Sequence, residues 1–180
     1  MKYATPYDEK KMARALGVAL PISTKKAVEL CTFVKGRELA TAVRLLEGVM
    51  DEKIAIPVRR YGKGGTGHKP GGVGPGKYPK KVCVQVIKLL KQAQANAKVK
   101  GLDSTKLVVS SILANKGALS WHFGRQRGRR MKRTHVEVVV TESQDVAGKK
   151  PAVKETKAAQ KAAKVKAPAE KAAVEAKKNS

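Results

Sequence analysis

The sequence predicts an α+β fold in which three amphipathic helices accompany a long antiparallel β-hairpin, with a disordered basic tail behind them. Three observations predict it. Apolar residues recur at helical spacing in three stretches, within 23–36, 37–50 and 79–100. Strand-like runs flank the arginine-rich stretch 115–134 on both sides. Beyond Glu142 the chain turns to alanine, lysine, glutamate and proline, with no aromatic and no aliphatic larger than valine.

Taken in order, Met1–Gly17 is polar with scattered apolar residues and is expected to be a partly ordered arm, with Val18-Ala19-Leu20 adding a short strand. Pro21 and Ser23 then set up a helix start, Ser23 being of the type that caps free N–H groups. Ala27, Leu30, Cys31 and Val34 fall on one face of that helix, and Gly36 ends it. From Arg37 a second stripe follows through Leu39, Ala42, Val43, Leu46, Val49 and Met50, so the two are expected to pair as a helical hairpin. Pro57–Tyr78 replaces all periodicity with glycine, proline and basic residues and reads as an extended loop without internal packing, a length that usually signals function or disorder. Pro79 stands where a first-turn proline belongs, and a helix of about 22 residues, roughly 33 Å, runs to Lys100 before Gly101 stops it. Its stripe is Val82, Val86, Leu89, Leu90, Ala93 and Ala97, the expected backbone of the core.

The hairpin spans 106–141. Leu107-Val108-Val109 and Ile112-Leu113 precede the basic stretch, and Val136, Val138 and Val140 alternate with His135 and Glu137 after it. Two arms of about ten residues would reach on the order of 30 Å beyond the body. An isolated two-stranded ribbon is marginal in water, so this one is expected to lie against a partner. The tail, 143–180, cannot bury enough apolar surface to offset its chain entropy.

Charge narrows the partner. The chain carries 39 Lys+Arg against 14 Asp+Glu, a net charge of +25 with a sequence pI near 10.3, and charge of this size speaks for a polyanion such as RNA or DNA. The sequence has no apolar run long enough to span a bilayer and no signal-peptide core at Met1–Lys11, so a soluble, intracellular protein without a membrane partner is expected. Cys31 and Cys83 sit in apolar helical patterns and read as buried thiols; no metal-ligand spacing and no cofactor motif is present. Gly71-x-x-x-x-Gly76-Lys77 matches most of a phosphate-cradling loop but has Tyr78 where a hydroxyl should hold magnesium, and Pro57-Val58-Arg59-Arg60 is a poor delivering strand. His135 begins a strand with no nucleophile or metal partner in view. The chain is therefore not read as an enzyme.

The candidate RNA-binding residues follow from charge and position. On the helices they are Lys25, Lys26, Arg37, Lys80 and Lys81. In and around the glycine loop 62–77 they are Arg59, Arg60, Lys63, His68, Lys69 and Lys77, with Tyr61 and Tyr78 as stacking platforms. On the hairpin they are Lys116, Arg125, Arg127, Arg129, Arg130, Lys132 and Arg133, the guanidinium being suited to bind two phosphate oxygens at once. Trp121, His122, Phe123 and Gly124 form the tip. A histone-like DNA-binding protein would share the charge and the tail but leave the arginine hairpin unexplained.

From about Ala13 to Thr141 the chain resembles the large-subunit ribosomal protein family numbered twenty-two in bacteria and archaea and seventeen in eukaryotes. The resemblance rests on IST-KKAVELCTFVKG-RELATAV, IPVRRY, GKYPKKV, QAQANAKVKGLD and THVEVVVTE, in that order. The loop with RRY and GHKPGG and the ANAKVKGLD ending are similar to the archaeal and eukaryotic form. The tip ALSWHFGRQRGRRMKRTH and the lysine-alanine tail depart from the family pattern. The resemblance implies three helices against a small antiparallel sheet with a projecting hairpin, and an RNA-binding globular domain over 1–142. It implies a cytoplasmic constituent of the large ribosomal subunit that binds its RNA and neighbouring ribosomal proteins and aids assembly. It further implies that the tip lines the tunnel through which the nascent polypeptide leaves.

Overall fold

The computed structural model describes residues 3–62 and 66–143. Lys63 and the tail from 144 onward lie outside the described residues, so the expectations placed on them are not addressed. A three-stranded antiparallel sheet has the order β1-β6-β5, from β1 (Met12–Leu20), β5 (Leu107–Lys116) and β6 (Thr134–Glu142). Three helices, α1 (Thr24–Val34), α2 (Leu39–Met50) and α3 (Lys80–Val99), pack on it. The α+β class expected of the sequence is the observed one.

The core forms where the helical stripes meet one face of β6. Val136, Val138 and Val140 are fully buried against Leu30, Leu46, Val86, Leu90 and Ala93, and burying each larger side chain contributes about 1.5–3 kcal/mol before chain entropy is counted. The opposite face of β6 carries Val139 and Glu137, also buried. There the Glu137 carboxylate accepts the amides of Ala4 (3.0 Å) and Thr5 (3.1 Å), so the N-terminal segment is tied to the sheet. Arg14, between the rings of Tyr3 (4.3 Å) and Tyr7 (4.2 Å), fastens it further.

The first strand corrects the expected partly ordered arm: β1 runs from Met12, well before Val18. Its inward residues are Ala13, Ala15 and Gly17, small because α3 crosses close above them. A methyl group added at Gly17 would come within 3.0 Å of a Leu89 methyl. Beyond Gly17 the pairing with β6 shifts, Ala19 adopts a positive φ of 50°, and its amide donates to Nδ1 of His135 at 3.1 Å. His135 thus serves the strand junction.

Two further expectations are corrected. The first two helices do not form a hairpin; α1 lies on β5, and α2 on α3. The link between them, with Gly36 at φ 77°, is pinned to the outer edge of β5, where Gly36 N–H donates to the Val109 carbonyl (2.8 Å) and Val109 N–H to the Arg37 carbonyl (2.9 Å). The glycine-rich segment is not an unpacked loop. It folds into a second small sheet of order β2-β4-β3, from β2 (Ile56–Pro57), β3 (His68–Lys69) and β4 (Gly74–Lys77). Gly71, Gly72 and Gly74 supply the positive φ angles of its turn. The Gly71–Lys77 motif is therefore a turn and a strand, not the strand-to-helix loop that cradles a nucleotide.

The hairpin arms are not an extension beyond the body. Paired from Leu107↔Glu142 to Lys116↔Thr134, they are two of the three strands of the main sheet. What projects is 117–133, held as a ribbon by backbone bonds Gly117–Arg133 (3.0 Å), Ser120–Met131 (2.8 Å) and His122–Arg129 (2.9 Å), with a single 3-10 turn at Gly124–Gln126.

Candidate nucleic-acid interface

Near the N-termini of α1 and α3 the fold gathers basic side chains that are distant in sequence. Thr134 begins this arrangement: its buried hydroxyl donates to the Ile22 carbonyl at 2.9 Å and accepts from Thr24 at 2.8 Å, which ties the base of the hairpin to the start of α1. Neither Ser23 nor Pro79, the residues preceding the two helices, makes a side-chain capping bond, so the first-turn amides of both helices add positive potential to the lysines around them.

Two cavities open here. One, of about 410 Å³, has Lys25, Lys26, Arg60 and Lys77 around an apolar wall and the Tyr61 ring. The other, of about 420 Å³, lies among Lys26, Lys80, Lys81 and Lys132, with Tyr78 at its side. Ser23, Lys26 and Pro79 line both. Nine of the sequence-predicted residues, from four separate stretches of chain, thus meet on one face. Lys69 stands 5.2 Å from the Tyr78 ring centroid, on the second sheet, and His68 is exposed beside it.

Tyr61 owes its position to a residue that charge counting missed. Glu29, on α1 and only 7% exposed, receives the backbone N–H groups of Arg59 (3.1 Å), Arg60 (2.8 Å) and Tyr61 (2.8 Å) on its carboxylate. Three amides converging on one carboxylate hold the loop so that the Arg59 and Arg60 side chains stay exposed. The signal in the sequence was a lone carboxylate on a helix whose other charges are lysines.

Among the remaining predicted residues, Arg37, Lys116 and the ribbon arginines lie outside this cluster, and Lys80, within it, is ion-paired. Arg37, in the α1–α2 link and not on a helix, is turned back onto the end of α1, with Nε donating to the Phe33 carbonyl at 2.8 Å and the guanidinium 4.5 Å from the Phe33 ring. Lys80 pairs with Glu52 at 2.8 Å, and this hydrogen bond holds the Glu52 carboxyl below its usual range. On the projecting ribbon, Lys116, Arg125, Arg127, Arg129, Arg130 and Lys132 are exposed and Arg133 is half-buried. Among the described residues no hairpin arginine is paired with a carboxylate. At the tip Trp121 is 53% and Phe123 83% exposed, and Arg130 covers one face of the indole at 4.4 Å. His122 is half-buried and Gly124 takes a φ of 64° at the turn.

Burial pushes the Cys31 thiol up to about 12 and the Cys83 thiol to about 11, so both behave as core side chains. Among the described residues no three His, Cys, Asp or Glu side chains are grouped to hold a metal, and no helix is long and apolar enough to cross a membrane.

Comparison with known proteins adds the family. The family model for ribosomal protein L22p/L17e matches residues 15–141. The large ribosomal subunit protein uL22 of Archaeoglobus fulgidus is 40% identical over 141 residues, covering 74% of this chain and 90% of the relative. The protein of the same name from Methanococcus aeolicus is 34% identical, covering 79% and 97%, and that from Ignicoccus hospitalis 39%, covering 78% and 96%. With this extent of match, and with the fold the motifs implied, the chain belongs to the ribosomal protein L22p/L17e family in its archaeal type, and is a structural, non-enzymatic constituent of the cytoplasmic large ribosomal subunit.

Proposed function

We propose that the protein binds large-subunit ribosomal RNA through the cationic face at the starts of α1 and α3, aids assembly there, and extends its hairpin to line the nascent-polypeptide exit tunnel. The observation that carries this reading is the projecting ribbon: Arg125, Arg127, Arg129 and Arg130 are exposed and lack carboxylate partners among the described residues, while its base adjoins the lysine-lined cavities. A folded body anchors, and the ribbon, too thin to hold a core, gains rigidity from the RNA around it. The proposal takes 1–142 as the RNA-binding domain, with neighbouring ribosomal proteins and the nascent chain as its other contacts. Trp121, His122, Phe123 and Gly124 are then the residues nearest the tunnel lumen.

The test is ultraviolet cross-linking of intact large subunits carrying a stalled nascent chain, read by mass spectrometry. Peptides containing Lys25–Lys26, Lys77–Lys81 and Arg125–Arg133 are expected to carry RNA, and the peptide with Trp121–Gly124 the nascent chain. Body peptides free of RNA would overturn the RNA-binding reading. A tip attached to RNA alone would overturn the tunnel reading.

A further inference from the structure

The first cavity contains more than phosphate binding needs. Its inner wall is Ile56, Val58 and Pro79, all buried, and the Tyr61 ring forms one side. A phosphate gains nothing from an apolar wall. A volume of about 410 Å³ is that of a small-molecule site. What combines a flat aromatic body with an anionic group on either side is a nucleotide within a strand.

We propose that this cavity receives one unpaired nucleobase of RNA, stacked on Tyr61 against the Ile56–Val58–Pro79 wall, with its flanking phosphates on the surrounding cations. This rests on the RNA-binding reading and deepens it. Lys25 and Arg60 stand 5.8 and 5.6 Å from the Tyr61 centroid, at the outer limit of a cation–π contact, so either can turn to a phosphate at little cost. The ring itself is preorganised, because Glu29 fixes the Tyr61 amide and those of the two residues before it. The ligand is a strand and not a free nucleotide, because the second cavity continues from the first through Ser23, Lys26 and Pro79 and is cationic on the far side, at Lys80, Lys81 and Lys132. A base inside a duplex offers no free face to Tyr61, so the base must be bulged or looped out.

The experiment uses the full chain and an RNA hairpin with a single bulged 2-aminopurine nucleotide, compared at about 0.3 M salt, where a Debye length of roughly 5–6 Å screens non-specific attraction, with the same hairpin made abasic at the bulge. Since stacking of a base on an aromatic ring is worth a factor of roughly 5 to 150, the wild type is expected to bind the 2-aminopurine form at least about 5-fold more tightly and to quench its fluorescence. Tyr61→Phe should keep that ratio and Tyr61→Ala should bring it to one. Equal affinity of the wild type for both RNAs overturns the base pocket while leaving RNA binding standing; so does a ratio that survives Tyr61→Ala. Failure to bind either RNA overturns the RNA-binding reading with it.

Discussion

Replacing Glu29 with alanine isolates the contact that shapes the cationic face. The substitution removes a buried carboxylate that accepts three backbone N–H groups, two at 2.8 Å and one at 3.1 Å. A hydrogen bond to a charged group is worth about 1.5–3 kcal/mol, so three would sum to roughly 4.5–9 kcal/mol if the freed amides stayed dry. They do not, because Arg59 and Arg60 are exposed and their amides rehydrate once the loop lifts. The slightly better helix propensity of alanine offsets a few tenths more. The expected loss is therefore about 2–4 kcal/mol, or roughly 4–16 °C in Tm for a chain of this size. Glu29→Gln keeps one acceptor oxygen without the charge and should fall between. The assay is urea and thermal unfolding followed by circular dichroism, in salt high enough to screen the net charge of +25. A loss below about 0.5 kcal/mol, within the range of ordinary surface substitutions, would show that β2–β4 pairing alone holds the loop and that Glu29 does not position Tyr61.

Two further perturbations separate the body from its projections. Replacing 117–133 with Asn-Gly, a pair suited to a two-residue hairpin turn, should leave the body folded, since Lys116 and Thr134 already face each other across the sheet. Loss of cooperative unfolding in that variant would place part of the core in the ribbon. Glu52→Gln releases Lys80 from its ion pair, so RNA affinity should rise and its salt dependence steepen by about 0.7–0.9 in log–log slope. Because Lys80 lowers the Glu52 carboxyl, the pair persists above the ordinary carboxylate range and is lost as pH falls through the lowered value. The two proteins should therefore differ at neutral pH and converge in acid, and identical slopes at neutral pH would show that Lys80 meets no phosphate.

How much could be read in advance depended on side-chain size. The stripes Ala27–Val34, Leu39–Met50 and Val82–Ala97 carry large apolar residues at helical spacing, and each became a helix close to its expected bounds. The alternating valines of β6 were equally plain. By contrast β1 turns Ala13, Ala15 and Gly17 inward, and residues that small leave almost no hydropathy signal even though the close approach of α3 demands them. The second sheet was hidden for a related reason: β2, β3 and β4 are held largely by backbone bonds such as Val58–Pro75 at 2.8 Å, which glycine-proline composition does not announce. The α1–α2 link looked like a hairpin turn because its competitor, the edge of β5, lies about seventy residues downstream.

Charge sign and residue type, which are local properties, were legible in the sequence alone: a strong net positive charge, an arginine-rich hairpin, helices with basic faces, and, through ordered motifs, the family. Tertiary structure decided which of those charges act together. It set Lys25 and Lys26 beside Lys77, Lys80 and Lys132, turned Arg37 back on Phe33, engaged Lys80 with Glu52, and spent a buried carboxylate on the amides that present Tyr61. Apart from the local Arg37–Phe33 contact, such juxtapositions depend on contacts between segments about 30 to more than 100 residues apart, which no local pattern encodes.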